Sequence, residues 1–317
     1  MVVSSILLLS NVAITILNQG QTTDVSTYEV PLMLGAASTN ETITVTRTCP
    51  LTPKYTSAPL IQVKKSAATH EEILELANKY GGLTSSADIR DFGGGDIVIF
   101  GRGKSFHTNG LNNFMLSYDD IKSLTNTMSE AEAKKVADEF VNGLLHDNPD
   151  FPCTVEYYKT VTGCRTLSKK IETGEVTEII HTLKVKYKIL YEGIPIYGNG
   201  AGVSVSVCNN KIVEFEVHMP EVVTQNEVIN VKPPDQAFQE MLDEPRISFS
   251  ILFERNETTF IERQVDNIEL CYYYDFTNPE PVSNVALFYL ISGTDYLKTT
   301  KAVVQEETFS SLIDATL

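Results

Sequence analysis

Apolar and polar positions along the chain follow two rhythms, one of helical period and one of period two, and these mark out its elements. After the strand-like run Leu60-Ile61-Gln62-Val63, Thr69 is followed three residues later by Glu72, the spacing of a capping box. It predicts a helix over 70–80, with Ile73, Leu74, Leu76, Ala77 and Tyr80 on the buried side and Gly81 at the stop. Beyond Gly93-Gly94-Gly95, the runs Ile97-Val98-Ile99-Phe100 and Phe114-Met115-Leu116 read as strands separated by a Gly/Asn-rich turn. Residues 60–127 therefore read as a β-α-β-β unit.

A second unit, 128–222, opens on the clearest helix in the chain. Ser129 caps, Glu132 closes the box, and Ala133, Val136, Ala137, Phe140, Val141 and Leu144 recur at helical spacing until Asp147-Asn148-Pro149 ends the run. From Leu183 to Tyr191 apolar residues alternate with Lys184, Lys186 and Lys188, as in a strand with one face on a core and one in water. The runs 203–207 and 212–217 flank Asn209-Asn210, and asparagine tolerates the positive φ of a hairpin turn. The third unit, 223–317, repeats the plan more loosely. Pro233-Pro234 lead a helix over 235–242 bearing Ala237, Phe238 and Met241, and strands follow over 268–276 and 285–291.

Ahead of these units, residues 1–18 form an apolar run with no charged side chain before Asp24. This reads as an export signal or membrane anchor, shorter than the ~20 residues of a comfortable span. Residues 19–59, rich in Thr, Ser, Asn and Pro, read as a linker, with one short alternation at Thr42-Ile43-Thr44-Val45-Thr46. Export puts the chain outside the cytoplasm, secreted or held at the membrane through its N-terminal segment. Asn40-Glu41-Thr42 and Asn256-Glu257-Thr258 match the N-glycosylation pattern at Asn40 and Asn256.

The composition, 42% hydrophobic and 21% charged, is that of a globular protein. A formal charge of −16 repels phosphate backbones and anionic lipid heads, which argues against nucleic acid as a partner. Five cysteines make no C-x-x-C pair. Cys153 and Cys164 bracket a stretch long enough to fold back as a hairpin and form a disulfide in an oxidising compartment, which leaves an odd thiol. Cys208 and Cys271 lie in strand-like runs and read as small buried residues.

No reactive constellation emerges. His70, His107, His146, His181 and His218 are scattered without an H-E-x-x-H, so no metal is called for, nor any cofactor. There is no G-x-S-x-G elbow, and Gly93-Gly94-Gly95-Asp96 precedes a strand where a phosphate cradle leads into a helix.

Ser129-Glu130-Ala131-Glu132-Ala133, then Tyr191-Glu192-Gly193-Ile194-Pro195-Ile196-Tyr197-Gly198, then the hairpin over Asn209-Asn210, resemble PepSY-type propeptide and inhibitor domains. The Pro-led helix, Ile268-Glu269-Leu270-Cys271-Tyr272-Tyr273-Tyr274 and Val285-Ala286-Leu287-Phe288-Tyr289 are similar to the YycH/YycI-like membrane-anchored regulators of sensor kinases. The resemblance covers roughly residues 129–293. It departs from the family in having no tryptophan near the last strand and no basic stub before the leader.

The expected fold class is α+β, a tandem of helix-plus-antiparallel-sheet, PepSY-like domains behind an apolar leader and a polar linker. The resemblance implies a non-catalytic, extracytoplasmic module that binds a protein or peptide, inhibits a peptidase or modulates a sensor. Tyr191, Ile194, Tyr197 and Tyr289 are the candidate contacts, since tyrosine offers area and a hydrogen bond at low entropy cost. Two other classes stand beside it: a secreted hydrolase built from dispersed acids such as Asp96 and Asp119, and a structural protein of the cell envelope. At Gly193-Ile194-Pro195-Ile196, the missing donor of Pro195 should make strand pairing pause.

Overall fold

The computed structural model describes residues 15–16, 26–34, 37–51, 53–64, 68–84, 88–93, 95–101, 103–170, 176–198, 201–243, 259–274, 282–299 and 302–317. The chain forms two compact units, each discontinuous in sequence. One comprises Met1–Ala58, Val228–Cys271 and Leu287–Leu317, the other Pro59–Glu227 and Tyr272–Ala286.

The expected tandem of helix-plus-antiparallel-sheet domains gives way to a protein that is mostly strand. Three α-helices are present among the described residues, α1 (His70–Gly81), α2 (Glu130–Asp147) and α3 (Pro234–Asp243). The first two share a single sheet. Stretches read as linker or turn are strands instead, among them Ser26–Leu34, Ala37–Arg47 and Lys104–Gly110, and the stretch expected to fold back as a hairpin between Cys153 and Cys164 is the single strand Thr154–Thr162. Their threonines, valines and tyrosines suit a pleated surface even where no apolar alternation announces it. Nor is the pairing purely antiparallel: Ile43–Arg47 run parallel to Ile261–Val265, and Ile196–Tyr197 parallel to Tyr272–Tyr273. Of the leader expected over 1–18, all but Thr15–Ile16 lies outside the described residues.

In the larger unit the strands follow one another across the sheet as Thr154–Thr162, Leu183–Tyr191, Gly202–Cys208, Lys211–His218, Asn113–Tyr118, Lys104–Gly110, Asp96–Gly101 and Asp88–Gly93. Every neighbouring pair is antiparallel. Both helices are set by their caps. The Thr69 hydroxyl accepts from the Glu72 amide while the Glu72 carboxylate accepts from the Thr69 amide, and Ser129 and Glu132 do the same for α2. α1 runs one residue past the expected stop, because the left-handed position that ends it is Gly82 (φ 57°).

Helical spacing turns Ile73 and Ala77 of α1, and Ala133, Ala137, Val141 and Leu144 of α2, onto one face of the sheet. Between helices and sheet lies an aromatic cluster: Phe215 meets Phe140 at 4.9 Å between ring centres, and Tyr80 stacks on Phe114 at 5.3 Å. Phe106 and Phe215 are at most 1% exposed, each contributing about 1.5–3 kcal/mol by leaving water. The Tyr80 hydroxyl and Lys79 ammonium both donate to Asp147, each at 2.6 Å, tying the end of α1 to the end of α2. Burial, then the bond to Asp147, raises the Tyr80 hydroxyl pKa.

Two-residue turns fix the sheet register. Asn209 and Asn210 hold φ of 47° and 64°, and Glu192 and Gly193 hold 48° and 78°, the positive-φ pairs that match strand twist in a tight hairpin. The expected pause at Pro195 does not occur on the hairpin side, where Pro195 stands opposite Leu190. On the other side, pairing with Tyr272 begins only at Ile196, so the missing donor falls just before that ladder starts.

In the smaller unit, Ala37–Arg47 pairs antiparallel with Ser26–Leu34, and Ala286–Thr299 pairs with Val303–Asp314. Its core contains an ion pair. Arg263 and Asp295 are both 0% exposed in their side chains, joined by two bonds of 2.7 and 2.8 Å, and the guanidinium carbon lies 4.0 Å from the centre of the Phe309 ring.

Candidate functional site

The strand Leu183–Tyr191 lies at the centre of the site because its alternation divides cleanly. Leu183, Val185, Tyr187, Ile189 and Tyr191 are buried, and Tyr187 donates a hydrogen bond of 2.8 Å to Asp138 of α2. Lys184, Lys186 and Lys188 therefore stand on the sheet face away from the helices. Neighbouring strands extend that polar face. Lys186 is opposite Ser204, and Ser204 is opposite Glu216; Lys184 is opposite Ser206, and Ser206 is opposite Glu214.

An open cleft of about 270 Å³ lies on this face, lined among others by Tyr158, Lys186, Lys188, Tyr197, Glu216 and His218. At one side Lys184 reaches Glu214 at 3.3 Å and Glu216 at 3.4 Å, while the Ser204 hydroxyl donates to Glu216 at 3.0 Å. Burial raises the Glu216 pKa, but Lys184 and the Ser204 hydrogen bond outweigh it, and the net shift is below the ordinary carboxylate value. This carboxylate is thus a weak base. His218 bonds Asn113 through Nδ1; burial lowers its pKa, outweighing the upward pull of Glu216, and His107 adds to the lowering. Its imidazole is neutral at neutral pH.

The other side is cationic and aromatic. The Lys188 ammonium lies 4.6 Å from the Tyr158 ring centre and 5.3 Å from that of Tyr197, within cation–π reach. Lys159 stands directly opposite Lys186 across the outermost strand pair. Tyr158 sits at a register shift in that pair, between Tyr157 (opposite Tyr187) and Lys159 (opposite Lys186). Thr154–Thr162 pairs on one side only, with Leu183–Tyr191, so its outer edge is open among the described residues. Its Tyr157 and Tyr158 are 44% and 49% exposed.

Of the four tyrosine and isoleucine candidates, one lies at this cleft. Tyr197 is half-buried at its lip, whereas Tyr191 and Ile194, opposite one another in the hairpin, are 6% and 1% exposed. Tyr191 meets Tyr272 edge-on at 6.4 Å and serves the core. Tyr289 belongs to the other unit, 4% exposed, its hydroxyl donating to the Lys232 carbonyl at 2.9 Å.

The expected disulfide is not formed. Cys153 and Cys164 are free thiols flanking the two ends of the extended strand Thr154–Thr162. Ten or so residues at ~3.3 Å each hold them far beyond disulfide reach. Asn40 lies in the strand Ala37–Arg47, and Asn256 lies outside the described residues. Asp96 and Asp119 fall at opposite ends of the three-strand meander that joins them, and Asp96 has half-buried His107 at 3.8 Å. Among the described residues no three His, Cys, Asp or Glu side chains gather to hold a metal ion, and no helix is long and apolar enough to cross a membrane.

Sequence reasoning took the lysine alternation as a solvated face and missed Tyr158, Lys159, Glu216 and His218. The alternation Lys-x-Lys-x-Lys was the available signal; its cross-strand neighbours depend on register, which periodicity alone does not supply.

No family model and no curated protein matches the chain. Two solved structures are similar to it. An uncharacterized protein from Eubacterium rectale ATCC 33656 aligns at a TM-score of 0.49 and 10% identity, over 91% of each chain. The Bacillus megaterium YpeB C-terminal domain aligns at a TM-score of 0.37 and 10% identity, over 77% of this chain and 99% of its own. At these values neither likeness assigns a partner or a reaction.

Proposed function

We propose that the chain is a non-catalytic, extracytoplasmic binding module, of the PepSY-like kind its motifs resemble, that takes an extended segment of a partner protein along Thr154–Thr162. The observation that supports this reading is the placement of a one-sided strand beside a cleft. Unpaired amides and carbonyls on that edge would supply main-chain hydrogen bonds, and the cleft would receive alternate side chains of the segment. The register shift at Tyr158 divides the edge into two short runs, which limits promiscuous pairing and places the Tyr158 ring beside the Lys188 ammonium. The wiring of Glu216 favours binding over acid–base chemistry, because its lone pairs are engaged by Ser204 and Lys184.

Selection from a displayed random-peptide library, followed by an N-methyl scan of the selected peptides, tests the proposal. Methylation at alternate residues should weaken binding several-fold per blocked donor, since each net hydrogen bond is worth about 0.5–1.5 kcal/mol. Methylation at the residues between should matter little. A flat scan, or selected peptides indifferent to Tyr158→Ala, would sink strand addition.

A further inference from the structure

Lys159 and Lys186 face each other directly across an antiparallel pair, a like-charge arrangement that destabilises a sheet. Neither side chain has an ion-pair partner among the described residues: the Lys159 ammonium lies 4.9 Å from the Tyr158 ring centre, and the Lys186 ammonium stands without a side-chain hydrogen bond among them. Two residues along the same strand the sheet manages its charges differently, with Lys184 shared between Glu214 and Glu216. The unrelieved pair stands where the open edge meets the cleft.

We infer that Lys159 and Lys186 form a carboxylate seat, and that the segment taken by this edge is an acidic peptide with Glu or Asp at alternate positions. The inference rests on the strand-addition reading and names the ligand chemistry it leaves open. A strand added beside Thr154–Thr162 lies ~4.8 Å from it and projects every second side chain onto the face that carries both lysines. Lys159 is then its nearest neighbour. Lys186 is one strand spacing further, about 10 Å from the added backbone, a gap that a glutamate and a lysine side chain close from opposite sides. A second carboxylate two residues along meets Lys188 and the Tyr158 and Tyr197 rings. Glu156, opposite Lys188, and the overall charge of −16 oppose a densely anionic ligand, so the seat suits one or two carboxylates and not a long polyanion.

The test measures binding of two nine-residue peptides to the full chain, one alternating Glu with Val and the other alternating Gln with Val, with a soluble anionic polysaccharide as competitor. The expected result is tighter binding of the Glu peptide by about tenfold, lost in Lys186→Glu and reduced in Lys186→Gln. The urea midpoint should not fall in either variant and should rise slightly, since each change removes the repulsion from Lys159. Equal binding of both peptides, abolished by Tyr158→Ala, overturns the carboxylate seat and leaves strand addition standing. Failure of both peptides and of every library-selected peptide overturns strand addition, and the seat with it. Displacement of the Glu peptide by the polysaccharide at equivalent carboxylate concentration also overturns the inference, because the site would then read charge without a peptide backbone.

Discussion

Removing one partner of the Arg263–Asp295 pair should be among the most damaging conservative changes in the protein. Asp295→Asn keeps the shape of the side chain and the Phe309 contact, but leaves a guanidinium with 0% exposure facing a neutral amide. Two charge-assisted bonds of 2.7 and 2.8 Å are weakened together. At about 1.5–3 kcal/mol for each hydrogen bond to a charged group, the loss lies near 3–5 kcal/mol, the range found when a buried pair is broken from one side. That is a factor of 10² or more in the folded-to-unfolded ratio. The chain has no tryptophan, so urea unfolding is followed by far-ultraviolet circular dichroism or tyrosine fluorescence. With a slope of about 3 kcal/mol per molar, the midpoint should fall by about 1 M or more at unchanged slope. The double variant Arg263→Met/Asp295→Val removes both charges and should recover most of the loss, because the desolvation cost disappears with the pair. A single-variant shift under about 0.3 M, or a double variant as damaged as the single, would refute the claim that losing the carboxylate opposite a buried guanidinium is what destabilises.

Three further expectations follow from local geometry. In the native protein, Cys164 should be the first thiol to react with a disulfide reagent: the other four cysteines are buried, and burial pushes Cys153 up to about 12; labelling read by mass spectrometry refutes this if Cys153 modifies first. Gly198→Ala should cost more than about 2 kcal/mol, because φ is 147° and an added Cβ would lie 1.5 Å from the Tyr274 carbonyl oxygen; a urea midpoint equal to wild type counts against it. Burial depresses the folded pKa of His218 below its ordinary value of 6.5, so its contribution to stability is present above that pH and is lost as pH falls toward the folded pKa, the unfolded chain binding the proton more readily. His218→Gln should flatten the pH dependence of stability just below 6.5; a slope identical to wild type means that the imidazole is not held neutral.

The helices were legible because each carries its own start and stop. Thr69 with Glu72, and Ser129 with Glu132, announce their caps within four residues, and the structure places both boxes as the spacing requires. Asn209-Asn210 likewise announces a turn. The sheet was less legible for two reasons. Strands such as Thr154–Thr162, exposed along most of their length, show no apolar alternation to betray them. Neighbours distant in sequence, as when Ile43 pairs with Ile261, are fixed by long-range packing. The same limit hid the site. Lys186 could be read as outward-facing from its own strand, but that it faces Lys159 on one side and Ser204 on the other follows only from the registers on either side. The buried Arg263–Asp295 pair had a faint signal, a charge standing at an inward position of each of two alternating strands.

The two faces of the larger sheet divide stability from recognition, and this is why the lysine pair is informative. On the helix-covered face the central positions are constrained: Val185, Ile189, Val205 and Phe215 are at most 1% exposed, and replacing any of them with alanine changes a packed core. The open face carries no such load. There, cost-free substitutions exist for Lys186, and almost any neutral polar side chain opposite Lys159 would remove the repulsion without disturbing a contact. A chain with 41 acidic against 25 basic residues also has carboxylates in excess, so an acidic residue at this position would be easily accommodated. A sheet that pairs Lys184 with two glutamates yet leaves Lys159 and Lys186 facing each other therefore bears a small folding penalty beside an edge that is open among the described residues. That penalty has a compensating use if the missing counter-charge arrives with the ligand, since the repulsion relieved on binding adds to the affinity gained.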